Sequence, residues 1–280
     1  MPKDFRATTL ERAIGRQLAW WRNERGLSLT EAGQRVGFSS AKLSTMENAV
    51  QPSAALDIMA LGYVYKVPAA EWQAVVVQAQ HAAQARMRLQ DTGFSFDPAA
   101  DFKHLVFEAM SLCDFTTNLI PAVLQLPQYT DAAIRAEHPV RAERFAAVCK
   151  AWSTRLEDND PLAVQVVFPE TVLLQVVGGP RVMKAQLLHL IEVGEIPAVN
   201  VQVVPRETGG YPAMGSPFTL LGFPHRQHND VVYLESSLKG QYVEDPRLVE
   251  RCAQQFDRLQ KVALSPGDSL ELIAEAAAEL

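Results

Sequence analysis

The stretch from Arg16 to Pro52, RQLAWWRNERGLSLTEAGQRVGFSSAKLSTMENAVQP, constrains the fold of this chain more than any other. Leu10, Ile14, Leu18 and Trp21 recur at helical spacing and predict a first helix with one buried stripe. Gly26-Leu27 closes that helix, and Ser28 or Thr30 is placed to cap the next, with Glu31 in its first turn. The second helix is short, because Gly37-Phe38-Ser39 interrupts it after Val36. Ser39 then caps a third helix whose inner face is Leu43 and Met46. A small residue at Gly33, four positions before Gly37, lets two helices cross closely at a steep angle. Pro52-Ser53 ends the following loop and caps a fourth helix, with Leu56, Met59 and Ala60 expected inside.

These residues resemble the XRE-type helix-turn-helix of phage repressors and many bacterial regulators, from about Leu10 to Val67. The pattern L-x-x-x-R-x-x-x-G-L-S/T stands as Leu18, Arg22, Gly26, Leu27 and Ser28, and V-G-x-S as Val36, Gly37, Phe38 and Ser39. The ending I/L-S-x-I/M-E-N stands as Leu43, Ser44, Thr45, Met46, Glu47 and Asn48. The resemblance implies an all-α DNA-binding domain whose third helix enters the major groove. It assigns sequence reading to Ser40, Ala41, Lys42, Ser44 and Thr45, with Thr30 and Ser39 at the two helix starts also facing DNA. It further implies an ion pair between Arg22 and Glu47, tying the first helix to the end of the third. Among those five base-reading positions, however, only Lys42 is charged, and the long Gln, Arg or Asn side chains that make bidentate base contacts are absent there. Leu29 stands where relatives often carry a phosphate-binding Gln, and the loop Ala49-Val50-Gln51 lacks the usual Lys or Arg.

Charge leans the same way. Through Val67 there are nine Lys or Arg and six Asp or Glu, a net +3; the whole chain is −6, so the remainder carries −9. A basic head on an acidic body is the asymmetry of a nucleic-acid binder. The 280 residues predict about two domains, and with 48% hydrophobic and 21% charged residues the composition is that of a globular protein. No apolar run is long enough for a membrane span, and MPKDFRATT does not read as a signal peptide, so no membrane partner and a cytoplasmic location are expected. Cys113, Cys149 and Cys252 lie far apart and read as buried, reduced thiols.

The domain plan expected is a helix-turn-helix over residues 1–67, a linker helix over 68–93 and an α+β domain with a largely antiparallel sheet over 94–280. The linker helix carries Trp72, Val75, Val76, Ala79, His81 and Met87 on more than one side, and Asp91-Thr92-Gly93 breaks it. Beyond it the pattern predicts a helix near Asp101–Leu112, an extended segment Thr116–Leu124, and helices around Gln128–Glu137 and Pro139–Leu156. Leu162–Phe168 reads as a strand, and Gly178-Gly179-Pro180 punctuates the chain before a helix over Arg181–Val193. Val199–Val204, Phe218–Phe223, Val231–Glu235 and Gln241–Val243 follow as strands. A final helix, Asp245–Ala263, turns Leu248, Cys252, Phe256 and Leu259 inward.

This second part also resembles a family: the C-terminal domain of unknown function found behind XRE modules in actinomycete antitoxin-like (WhiJ-like) regulators, over about Phe94 to Ile273. The matching blocks are Glu108; Ile120–Gln125 with Tyr129; Val177–Pro180 with Met183, Gln186 and Leu187; Val199–Pro205; Gly215–Leu221; Asp230–Glu235; Tyr242–Pro246; and Ala263–Pro266. The resemblance implies a transcription regulator, often encoded beside a small acidic protein that binds it. The chain departs where relatives carry several Arg, in the helix matching Val140–Leu156, and before the Gly-Gly-Pro turn, where it has Gln175 and Val176. Arg135, Arg141 and Arg144 with Tyr211 and Met214 are the candidate partner contacts, since −9 argues against simple charge attraction to an acidic protein.

Other chemistry finds little footing in the sequence. His225 and His228 with Asp230 have a loose metal-ligand spacing, but the bland reading is a polar loop. Gly178-Gly179-Pro180 lacks the Lys and Ser/Thr of a phosphate loop. Glu170, Glu235, Glu244 and Asp245 near strand ends form either a groove for a cationic ligand or a solvated acidic rim. No catalytic residue, cofactor or metal is expected. Two readings stay open: a homodimeric DNA-binding repressor or antitoxin-like regulator whose C-terminal domain receives a partner or ligand, and an interaction adaptor whose helix-turn-helix has little or no DNA affinity.

Overall fold

The computed structural model describes residues 7–87, 102, 105–135, 149–157, 159–223, 230–235 and 240–280. They fall into two compact units, one drawn from the chain up to Asp97 and the other from Pro98 onward. Among the described residues the first unit is all-helical, with α1 (Thr9–Glu24), α2 (Leu29–Val36), α3 (Ser40–Glu47), α4 (Ala55–Val64) and α5 (Ala69–Met87).

Local chemistry fixes the starts of the first three helices. Thr8 with Glu11, and Ser28 with Glu31, form reciprocal capping boxes, each satisfying two backbone donors that a bare helix start would strand. Ser39 caps α3 by accepting from the Lys42 amide at 3.1 Å. Of the two residues read as possible caps for α2, Ser28 takes the role. The turn between α2 and α3 needs Gly37, whose φ of 80° is left-handed and costs a side-chain-bearing residue strain. Gly33 is required for a different reason from the one expected. A Cβ there would lie 2.4 Å from the Phe38 carbonyl oxygen, so it clears the turn and not a crossing helix. The close helix crossing belongs to Gly15, where a Cβ would sit 2.5 Å from the Glu47 carbonyl oxygen on α3.

Ile14, Leu18, Trp21, Leu43, Met46, Ile58, Leu61 and Tyr65 build the core of this unit. For α4 the expectation is reversed: Ile58 and Leu61 are buried, whereas Leu56 is 77% and Tyr63 84% exposed and Met59 is also exposed. Both stripes obey helical spacing, so the pattern alone could not choose between them. The capping Ser53 also gives way, because Ala54 is the N-cap and no side chain bonds there. The helix read as a linker is structural: Val75, Ala79 and Ala82 of α5 join the same core, and Gly62 of α4 lies against Trp72. Residues 88–93 lie outside the described residues.

The second unit is α+β, built on a six-stranded sheet: β1 (Ser111–Phe115), β2 (Ala163–Pro169), β3 (Val199–Val204), β4 (Phe218–Gly222), β5 (Val231–Leu234) and β6 (Gln241–Val243), in the order β3-β2-β1-β4-β5-β6. Three of the five pairings, β1–β4, β4–β5 and β5–β6, are antiparallel; β1–β2 and β2–β3 are parallel. The parallel half reflects the long connections after β1 and β2, which hold helix-length segments as a crossover must. Thr116–Leu124 is not the extended element; the strand is Ser111–Phe115, which overlaps the end of the stretch read as a helix, and among the described residues of that stretch 102 and 105–108 are helical. Packing on both faces makes Leu112, Asp114 and Phe115 all buried, which hides the strand's period-two signal.

One face of the sheet, with Val164, Val166, Phe168, Val201 and Val203, packs under α6 (Pro127–Arg135), α7 (Thr171–Leu174), α8 (Pro180–Gly194) and α10 (Pro266–Ala278). The other, with Phe115, Val167, Val204 and Val232, packs under α9 (Pro246–Val262) through Val249, Phe256 and Leu259. Leu248 points outward, contrary to expectation, because Asp245 starts the helix so that Val249 takes the inner position. Helix α10 lies beyond the last helix expected from the sequence; Ser265 caps it, and its Ile273 and Ala277 close the first face.

Candidate nucleic-acid interface

Helix α3 is held from behind by charge. Arg22 Nε and Nη2 donate to Glu47 Oε1 and Oε2, both at 2.7 Å, in a two-pronged pair with side chains 14% and 8% exposed. Arg22 Nη1 also donates to the Leu27 carbonyl at 2.8 Å and Asn23 Oδ1 at 2.9 Å, so one guanidinium joins α1, the turn before α2 and the end of α3. The hydrogen bonds to Glu47 raise the Arg22 pKa still further above its usual range. Tyr65, fully packed beneath the pair, is pushed up to about 12, first by burial and then by the Glu47 charge. The expected ion pair is present.

Leu43 and Met46 point into the core, so a helix of 3.6 residues per turn presents Ala41, Ser44, Thr45 and the cap residue Asn48 on the opposite side. Ser40 and Ala41 are exposed, while Ser44 and Thr45 are half-buried. Ser39 is occupied as a cap, and Thr30 is exposed in the first turn of α2. Leu29, beside it, packs against the core, which explains an apolar residue there. Thr45 donates to the Lys42 carbonyl at 2.8 Å, so much of its hydroxyl capacity is spent within the helix.

Two amide side chains missing from the sequence-based site join this face. Asn48 Nδ2 donates to the Ser44 carbonyl at 2.8 Å, and Gln51 Nε2 donates to Thr45 Oγ1 at 2.9 Å. Each keeps its amide oxygen for an incoming donor, and Asn and Gln are the side chains that match adenine in the major groove. The signal was the four-residue spacing from Ser44 to Asn48; Gln51 is returned to Thr45 only by the loop, through Val50 N donating to the Thr45 carbonyl at 2.8 Å. Lys42 lies on the flank, its ammonium 2.9 Å from Asp57 Oδ2 of α4 and 3.7 Å from the centroid of the Phe38 ring.

In the second unit the described candidate partner residues, Arg135, Tyr211 and Met214, do not share a face of the sheet. Arg135 ends α6, paired with Asp131 at 2.9 Å, on the first face of the sheet. Tyr211 packs edge-on against Phe115 on the other, and Met214 is exposed in the same loop. Arg141, Arg144, His225 and His228 lie outside the described residues. Of the acidic set, Asp245 caps α9 and buried Glu170 accepts from the Arg206 amide at 2.9 Å, so both have structural work. Sequence reading missed Asp114, a buried carboxylate in the middle of the sheet that accepts from Thr219 Oγ1 at 2.7 Å. Burial pushes it up to about 7; the Thr219 hydrogen bond opposes the shift and the Glu235 charge adds to it.

A family model described as "Domain of unknown function (DUF5753)" matches residues 99–275, more than half of the chain. The chain belongs to the DUF5753 family. Ahead of that match, residues 13–75 of this DUF5753 protein match a model described as "Helix-turn-helix domain", the fold of many DNA-binding regulators. No curated protein and no solved structure matches the chain. Among its described residues, no helix is long and apolar enough to cross a membrane, and no group of three His, Cys, Asp or Glu is placed to hold a metal ion. In the DUF5753 domain burial raises all three thiols, Cys113 to about 11 and Cys149 to about 12, so each stays protonated and poorly nucleophilic near neutral pH.

Proposed function

We propose that this protein is a sequence-specific DNA-binding transcriptional regulator, a repressor or antitoxin-like factor of the cytoplasm. Its C-terminal domain binds a small partner protein or ligand and has no catalytic role. The observation that carries the reading is α3 itself: a short helix capped by Ser39, anchored from behind by Arg22 and Glu47, with Ser40, Ala41, Ser44, Thr45, Asn48 and Gln51 turned outward together. A rigid helix with polar groups on its free side is what major-groove reading requires. Homodimerisation is supported by the uncovered stripe Leu56, Met59 and Tyr63 on α4, which a second copy would remove from water. The protonated thiols argue against cysteine-based nucleophilic chemistry.

The test is binding of the full chain to duplexes from upstream of its own coding sequence, titrated with salt. Phosphate contacts give affinity that falls steeply as salt rises, with a slope near 0.9 for each phosphate neutralised. Lys42→Ala should weaken binding, and Ser40→Arg should alter sequence preference. The modest polarity of α3 favours the adaptor reading as the alternative, and failure to bind any such duplex at low salt would select it.

A further inference from the structure

We propose that Asp57 sets the DNA affinity of this module by holding Lys42 away from the duplex. The inference rests on the DNA-binding reading and names a determinant outside the recognition helix. Lys42 is the one cation on α3, and it faces neither the core nor the outward row of Ala41, Ser44 and Thr45. It sits on the flank towards α4, its ammonium 2.9 Å from Asp57 Oδ2 and 3.7 Å above the Phe38 ring. The carboxylate and the ring grip the same charge from α4 and from the turn before α3.

Asp57 is itself well placed to stay where it is. It lies in the first turn of α4, whose N-cap Ala54 offers no side-chain oxygen, so the positive end of the helix favours a carboxylate there. A phosphate arriving at Lys42 therefore meets a neutral pair, and must either displace Asp57 or approach against its negative charge. Exposed ion pairs and cation–π contacts are each weak, and together they lower the free ammonium population on the order of tenfold. That is enough to turn a useful phosphate contact into a marginal one without altering the fold.

The consequence is a gain of function. Asp57→Asn keeps the side chain's size and removes its charge. In the full-length protein it should raise affinity for an upstream duplex about five- to tenfold, and steepen the salt dependence by about one phosphate contact. The same substitution in a Lys42→Gln background should give little gain, because no ammonium is left to release. Fluorescence anisotropy with a labelled duplex reads all four proteins, and thermal melts followed by circular dichroism show that each is folded. If the wild type binds but Asp57→Asn binds no tighter, the inference is overturned and the DNA-binding reading stands. An undiminished gain in the Lys42→Gln background would overturn it too, since Asp57 would then act by direct repulsion alone. If neither the wild type nor Asp57→Asn binds any duplex, the DNA-binding reading fails and the inference falls with it.

Discussion

Removing Glu47 should loosen the helix-turn-helix by stranding a charge. In the native unit Arg22 spends two N–H groups on Glu47 at 2.7 Å and its remaining nitrogen on Leu27 and Asn23 at 2.8 and 2.9 Å. Glu47→Ala leaves the guanidinium clamped by neutral partners, with no carboxylate to balance it. Breaking a fully buried pair in this way costs about 3–5 kcal/mol, whereas exposed pairs contribute about 1 or less. Side chains 14% and 8% exposed put this pair towards the lower end of the buried range, at about 3 kcal/mol. A loss of that size multiplies local opening by about two orders of magnitude. Hydrogen exchange of the full chain, read on the amides of α1 and α3, measures it where it occurs. Arg22→Ala should cost a similar amount, and the double variant should cost clearly less than the two single losses together, because no charge is left alone. Single losses that simply add in the double variant would refute the reasoning. So would a Glu47→Ala loss that vanishes in high salt, since a shielded pair is poorly screened.

Gly15→Ala should destabilise the same unit by about 1–3 kcal/mol despite its better helix propensity, since its Cβ would meet the backbone of Glu47 and Met46 at 2.5 and 3.0 Å; thermal melting checks this. Gly194→Ala meets only the flexible end of Leu270 and should cost clearly less. Asp114 titrates above its ordinary range, so it favours the folded state most below about pH 4 and that contribution is lost as pH rises through about 7. Asp114→Asn should therefore flatten the fall in stability of the second unit between those values and be the more stable form at pH 8, by at most about 4 kcal/mol in denaturant unfolding. Tyr63→Glu with Leu56→Glu should convert a dimer to a monomer in sedimentation without changing helix content; a dimer that persists would place the interface elsewhere.

The sequence by itself determined the elements whose signals are local. A cap at Ser28 or Thr30, the cap at Ser39, the glycine turn at Gly37 and the inward pair Leu43 and Met46 are written in neighbouring residues, and they mark out α2 and α3. The Val-rich runs of β2, β3 and β5 and the short apolar segments of β4 and β6 were legible for the same reason. Tertiary structure alone decided what depends on two surfaces meeting. Both stripes of α4 have helical period, and only packing chose Ile58 and Leu61 over Leu56 and Met59. Strand β1 is buried on both faces, so its alternation vanished. The requirement at Gly15 exists because a distant backbone crosses it. The candidate DNA face divides in the same way. Ser40, Ala41, Lys42, Ser44 and Thr45 are named through the family resemblance, which a run along one short helix can carry, whereas Gln51 beside Thr45 and Asp57 on Lys42 are brought there by the loop and by α4. A side chain's neighbours along the chain are set by covalent geometry, but its partners across space, and hence whether its charge is free to meet a phosphate, are set by the fold.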